Sequence, residues 1–241
     1  MLRQKVFGSP GHELFRHRSS EIFRIEALSD AVFAFSVSLL VISLEVPQTF
    51  VELKTIIRGA IPFFATVALL FLFWYMQYIF FRRYGLNDLT TILLNLAYMA
   101  IILFYVYPLK FLFSILISSW TGINLFPKAN EMGLTVLTRE DFPQLIILFS
   151  TGYFLIWMIL YFLHQRALHH TIKPPLNFYE IQFTIKERRG ALWNAIIGLT
   201  AIIMATAGTE ALAGICYLFI PFALAINERI FKLSVKKLSQ R

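Results

Sequence analysis

Residues 24–47 read RIEALSDAVFAFSVSLLVISLEVP: ionisable side chains crowd the first turn and a half, no charge occurs from Ala31 to Leu44, and Pro47 closes the run. Ala27 to Val46 is the length of apolar chain that crosses a bilayer as a helix, and Pro47 cannot continue it. At helical spacing the segment has two distinct rows. Ala31, Phe35, Ser38, Ile42 and Glu45 recur at three-four spacing, with Leu39 beside Ser38, as in a coiled-coil seam. Ser29, Ser36 and Ser43 repeat every seven residues on another face, where small hydroxyl residues favour close packing against the rest of the subunit. The first row then needs a partner of its own. A neighbouring helix of the same subunit satisfies the spacing, and so do symmetry copies around a central axis, which would form rings of Phe35, Ser38, Leu39 and Ile42 along a narrow passage.

The cluster that opens the segment also has two readings. Arg24 lies one turn from Leu28, and Glu26 one turn from Asp30, so the segment can offer a cation and two carboxylates to neighbouring helices. Alternatively Arg24 is an interfacial anchor and Ser29–Asp30 marks a helix start.

Outward from this helix, composition fixes the class of the chain. Of 241 residues, 58% are hydrophobic and 15% charged, with a mean hydropathy of +0.66, more apolar surface than one water-soluble core can hide. An ordinary soluble enzyme is excluded. Five further segments are long and apolar enough to span: about 59–81, 89–108, 144–163, 191–208 and 211–226. The third is expected to end at Pro108 and Lys110, with FLFSILISSW as an amphipathic or re-entrant tail. The last two are joined through Gly208, Thr209 and Glu210 as a tight helical hairpin. Residues 165–187 are expected to form the longest loop, kept partly extended by Pro174 and Pro175. One six-helix transmembrane domain over 1–241 is the expected unit.

The net charge of +8 is distributed unevenly. Arg3, Lys5, Arg16, Arg18 and Arg24 precede the first span, Arg82 and Arg83 follow the second, Arg166 to Arg189 join the fourth and fifth, and Arg229 to Arg241 close the chain. With six spans these lie on one side. The other side carries Lys54, Arg58, Lys110, Lys128 and Arg139, offset by Glu52, Glu131, Glu140 and Asp141. The positive-inside rule places both termini in the cytoplasm of a multi-pass protein. The first residues have no apolar h-region, so no export signal is expected there. The basic end is expected to meet anionic lipid headgroups rather than nucleic acid.

Other chemistry is sparse. The single cysteine, Cys216, allows no disulfide within one chain. His169 and His170 lack a third ligand at metal-binding spacing and read as surface residues. Asn95, Asn194 and Asn227 read as interhelical hydrogen-bonding partners, and Trp74, Gln77 and Tyr78 as interfacial residues or neighbours of the Arg24 cluster. No nucleophile triad or phosphate-binding loop is present, so no enzymatic activity, cofactor or small-molecule substrate is expected.

The segment Arg24 to Pro47 resembles the first helix of the six-helix endosomal and lysosomal potassium channel family, the transmembrane protein 175 type. Arg24, Ser29 and Asp30 match its Arg-x-x-x-Phe-Ser-Asp signature, with Leu28 in place of Phe. Span count, inside termini, the last hairpin and a Trp in the second helix also fit. The resemblance implies an all-α membrane protein that assembles as a homotetramer, with the first helix of each subunit lining a central pore. A single six-helix copy of this length looks like a prokaryotic member, with a bacterial inner membrane expected. At the ends of the seam, Ala31 and Glu45 are expected at the pore mouths, Glu45 either concentrating cations or serving as a solvated helix-end charge. Carried over by position, the resemblance makes Phe35, Leu39 and Ile42 the apolar constriction, Ser38 the hydroxyl where members often have Thr, and Arg24, Ser29 and Asp30 a structural network. Potassium is then the permeant ion.

A filter of stacked carbonyls is not expected. The nearest match to TVGYG is Ser150-Thr151-Gly152-Tyr153, which lies inside the fourth span and lacks the second Gly. Selectivity would then rest on hydroxyls, helix carbonyls and pore width, with apolar rings gating by dewetting. The alternative function is a secondary cation or proton-coupled transporter using Asp30 and Glu26, although no internal repeat supports it.

Overall fold

The computed structural model describes residues 15–19, 21–42, 46–126, 129 and 132–236. The helices are α1 (Arg24–Ile42), α2 (Phe50–Arg58), α3 (Ala60–Tyr84), α4 (Leu89–Thr121), α5 (Asp141–His169), α6 (Phe178–Thr206), α7 (Glu210–Ile215) and α8 (Ile220–Lys236), with a 3-10 turn at Cys216–Phe219 between the last two. There is no strand among the described residues. Six stretches are long and apolar enough to cross a membrane, which agrees with the expected number of spans and makes this a multi-pass membrane protein.

Local chemistry sets the helix ends. Glu26 Oε1 accepts the Phe23 N–H at 3.0 Å, satisfying a donor that precedes α1. α3 closes on Gly85, whose φ of +60° lets its N–H reach the Phe81 carbonyl at 2.9 Å. α6 begins with a full capping box: Asn177 Oδ1 accepts the Glu180 N–H and Glu180 Oε2 accepts the Asn177 N–H, each at 2.8 Å.

α1 packs on α3 and α4, α4 on α5, α5 on α6, and α6 on α7 and α8. Inside lipid, helices gain little from hiding apolar surface from one another, so close contact and hydrogen bonds must hold them together. α6 supplies the contact surface. Gly190, Ala191, Asn194, Ala195, Gly198, Ala201 and Ala205 form a buried stripe of small side chains. At Gly198 an added Cβ would meet the Phe154 Cα at 3.3 Å. On the α4 side the core is built from Leu40, Leu70, Phe73, Tyr98, Ile102, Leu109, Ile156 and Leu160.

Four boundaries differ most from expectation. α4 does not stop at Pro108 but runs through it to Thr121, so FLFSILISSW is its last third rather than a re-entrant tail. Proline removes one backbone donor, whereas breaking the helix in an apolar environment would leave several groups unpaired. α6 begins at Phe178, well before the expected 191, and α5 runs to His169, so the expected loop at 165–187 shrinks to 170–177. The charges that argued for a loop are satisfied along the helix: Lys186 pairs with Glu228 at 3.1 Å, Arg188 bonds Gln165 at 2.6 Å and Arg189 bonds Asn227 at 2.6 Å. α8 likewise extends past 226 to Lys236.

Candidate functional site

α1 has two unlike faces. Ile25, Glu26, Ser29, Phe33, Ser36 and Leu40 are buried against α3 and α4. On the opposite face Arg24, Ala27, Leu28, Ala31, Ala34, Phe35, Ser38, Val41 and Ile42 are exposed, at the three-four spacing of a helical stripe. Phe35 is 53% and Ile42 72% exposed, while Ser29 and Ser36 are at 0%. The two sequence rows therefore separate as the hydroxyl pattern implied: the serines face the subunit and the seam faces away from it. Leu39 is half-buried, on the flank of the stripe rather than at its centre. Ser43, of the serine row, and Glu45, the expected outer mouth, lie outside the described residues.

The buried face is secured by a polar relay through three helices. Ser29 Oγ donates to the Ile25 carbonyl at 2.7 Å and accepts from Asn95 Nδ2 at 2.9 Å. Asn95 Oδ1 accepts from Gln77 Nε2 at 2.9 Å. One turn is thus tied to α4 and through it to α3. Next to it, Asp30 Oδ1 accepts the Trp74 indole N–H at 2.7 Å, and Trp74 stacks on Tyr78 with ring centres 5.5 Å apart. The Arg82 guanidinium lies 5.3 Å above Tyr78 and its Nε is 3.9 Å from Glu26 Oε2.

The sequence motif thus divides. Ser29 and Asp30 join the network, Arg24 lies on the exposed stripe, and Glu26, which the motif did not include, turns inward toward Arg82. Asn95, Asn194 and Asn227 do bond neighbouring helices: Asn194 accepts from Tyr153 at 2.5 Å, and Asn227 donates to the Lys186 carbonyl at 2.9 Å. The run at Ser150 to Tyr153 is helical, with Ser150 accepting from Tyr217 at 2.8 Å, so it forms no carbonyl filter.

Ser38 Oγ donates to the Ala34 carbonyl one turn back, at 3.0 Å. Its proton is therefore directed to its own backbone, which leaves the exposed oxygen free to act as an acceptor. No group of three His, Cys, Asp or Glu side chains able to hold a metal occurs among the described residues.

The fold and this site define a six-span helical membrane protein whose first helix is secured on one face and uncovered on the other. The model of the family described as endosomal/lysosomal potassium channel TMEM175 matches residues 24–105, which contain α1, its network partners Trp74, Gln77 and Asn95, and the stripe. A Marivirga tractuosa protein named potassium channel is 34% identical over 227 residues, covering 91% of this chain and 92% of that protein. A crystal structure of a variant of the potassium channel MtTMEM175, in complex with a nanobody–MBP fusion protein, superposes with a TM-score of 0.79 at 33% identity, over 90% of this chain and 97% of that one. The crystal structure of a lysosomal potassium-selective channel TMEM175 homolog from Chamaesiphon minutus shares the fold, with a TM-score of 0.54 at 16% identity over 85% of this chain and 96% of that one. The chain belongs to the TMEM175 family.

Proposed function

We propose that the protein is a potassium-selective channel, a homotetramer in which four copies of α1 surround a passive conduction path. The observation that carries this reading is the uncovered stripe from Arg24 to Ile42, apolar apart from Arg24 and Ser38, on a helix whose other face is fully packed. Family membership and the relatives named as potassium channels support it. Arranged on an axis, Phe35 and Ile42 form apolar layers about 10 Å apart at the rise of an α-helix, with Ser38 between them. Leu39 borders the neighbouring copy and narrows the same level. The Ser38 oxygens replace part of the ion's water shell, and the apolar layers close by dewetting. Ala31 and Glu45 mark the two mouths. The basic end faces the cytoplasm, as the excess of Lys and Arg there requires.

The transporter alternative asked Asp30 and Glu26 to bind or relay a cation. Asp30 is engaged by Trp74, and Glu26 is buried beside Arg82 and bonded to the Phe23 N–H. Each carboxylate has one oxygen committed to a protein donor and Glu26 also faces a cation, which favours the channel.

The test is the reversal potential of the purified protein in planar bilayers with potassium on one side and sodium on the other. A potential displaced strongly toward potassium equilibrium is expected, and Ser38→Ala should bring it closer to zero. A zero potential in wild type, or chloride conduction, contradicts the reading.

A further inference from the structure

Residues 15–19 lie outside every helix, yet they are held on several sides at the basic end of the bundle. The Phe15 ring, 4% exposed, meets Tyr84 and Phe183 edge-on at 5.6 and 5.7 Å. The N–H groups of Arg18 and Ser19 donate to the Arg82 carbonyl at 3.0 and 3.4 Å, and the Arg16 N–H donates to Glu180 Oε1 at 2.7 Å. The Arg18 guanidinium pairs with Glu180 Oε2 at 2.5 Å, the two side chains 1% and 0% exposed. Arg18 Nη1 also donates to Glu180 Oε1 at 3.2 Å, and the other guanidinium contacts are the carbonyls of Arg16, Arg83, Pro174 and Pro175. A planar guanidinium divided between one carboxylate and several carbonyls has a single fit, and moving it would leave the buried Glu180 carboxylate without its cation.

This strap precedes α1 in sequence by a few residues, and the residue that receives it also faces α1. Arg82 donates to the Ser19 carbonyl at 3.3 Å while its Nε lies 3.9 Å from Glu26 Oε2. From Glu180 in the first turn of α6 the contacts pass by the Arg18 ion pair and the Arg18 N–H to the Arg82 carbonyl in the last turn of α3, whose side chain faces Glu26 in the first turn of α1 as a 3.9 Å ion pair without a hydrogen bond.

We propose that Arg18, clamped on Glu180, is a positioning residue for conduction: the strap fixes where the basic end of α1 sits and thereby sets the fraction of time the pore is open. The inference rests on α1 lining the pore. Arg18 does not touch the ion in this scheme. It acts through the helix, and because an apolar constriction wets or empties over a small change in width, a modest displacement of α1 is amplified in the open time.

Single-channel recording of the full-length protein in planar bilayers tests this, with wild type beside Glu180→Gln and Phe15→Ala, which loosen the strap at separate anchors, and Arg18→Lys, which keeps the charge but loses the fork. Glu180→Gln and Phe15→Ala should change open probability in the same direction, by about fivefold or more, with the potassium-to-sodium permeability ratio unchanged. Arg18→Lys should change it less, and trypsin should cut after Arg18 faster in the first two variants. A strap that serves only folding would lower the yield and melting temperature of the channels while leaving the open probability of each incorporated channel as in wild type. That result overturns the proposal, and so does faster cleavage without altered gating. If Glu180→Gln and Phe15→Ala fail to assemble, unchanged gating in Arg18→Lys overturns it. Absence of potassium current in wild type would instead remove the pore reading and this inference with it, whereas conduction insensitive to the strap removes this inference alone.

Discussion

At Ser29 one hydroxyl serves two helices: it donates within α1 and accepts from Asn95, which in turn accepts from Gln77. Replacing Asn95 with Ala strands the Gln77 amide N–H in a buried interface and leaves Ser29 with only its bond to the Ile25 carbonyl, which should lower stability by about 1–2 kcal/mol, read as a lower melting temperature of the detergent-solubilised protein. The serine positions were legible because a seven-residue repeat marks one helical face, but the partners Gln77 and Asn95 were not. Which residue of one helix lies beside a given residue of another depends on the vertical register of the helices, and a one-dimensional pattern does not contain it. Asp88 provides a titration test at the basic end. Burial pulls its carboxyl upward, but the Thr91 hydroxyl and the Arg166 guanidinium, 2.9 Å away, outweigh that and hold it below the usual carboxylate range. A carboxyl lowered in the folded state contributes stability that is complete above its unfolded value and is lost as pH falls through the folded one. The melting-temperature advantage of wild type over Asp88→Asn should therefore be constant near neutrality and shrink only below about pH 4, as a pH series of thermal melts would show.

At the scale of elements, apolar length identified every span, while capping chemistry and pairing decided where helices ended. The Asn-Phe-Tyr-Glu sequence at 177–180 is a capping box that signals the start of α6 thirteen residues before the apolar run, and it was readable in principle. The course of α4 through Pro108 was not, since it depends on the surroundings rather than on the local pattern. Contacts between elements depend equally on small residues. A Cβ on Gly152 would overlap the edge of the Tyr105 ring, whose hydroxyl donates to the Phe149 carbonyl, so α5 and α4 are joined at that point. Gly152→Ala should cost about 1–3 kcal/mol by overpacking, and adding Tyr105→Ala should recover part of the loss. If the single variant melts as wild type does, the α4–α5 contact is looser than described.

For the molecule as a whole, the uneven charge and the two-faced first helix act together. The basic end carries the strap, the Glu26–Arg82 pair and the Asp30–Trp74 bond, so α1 is most firmly held where it enters the bundle. Farther along, its exposed stripe has no covering element within the described residues of one subunit. The central claim is that this stripe lines the conduction path. The most direct test is the potassium current of Ile42→Cys channels before and after a thiol-reactive cation, with wild type as the control for Cys216. Labelling Cys at this position should abolish most of the current while wild type is unaffected. Labelling confirmed by mass with an undiminished current would contradict it.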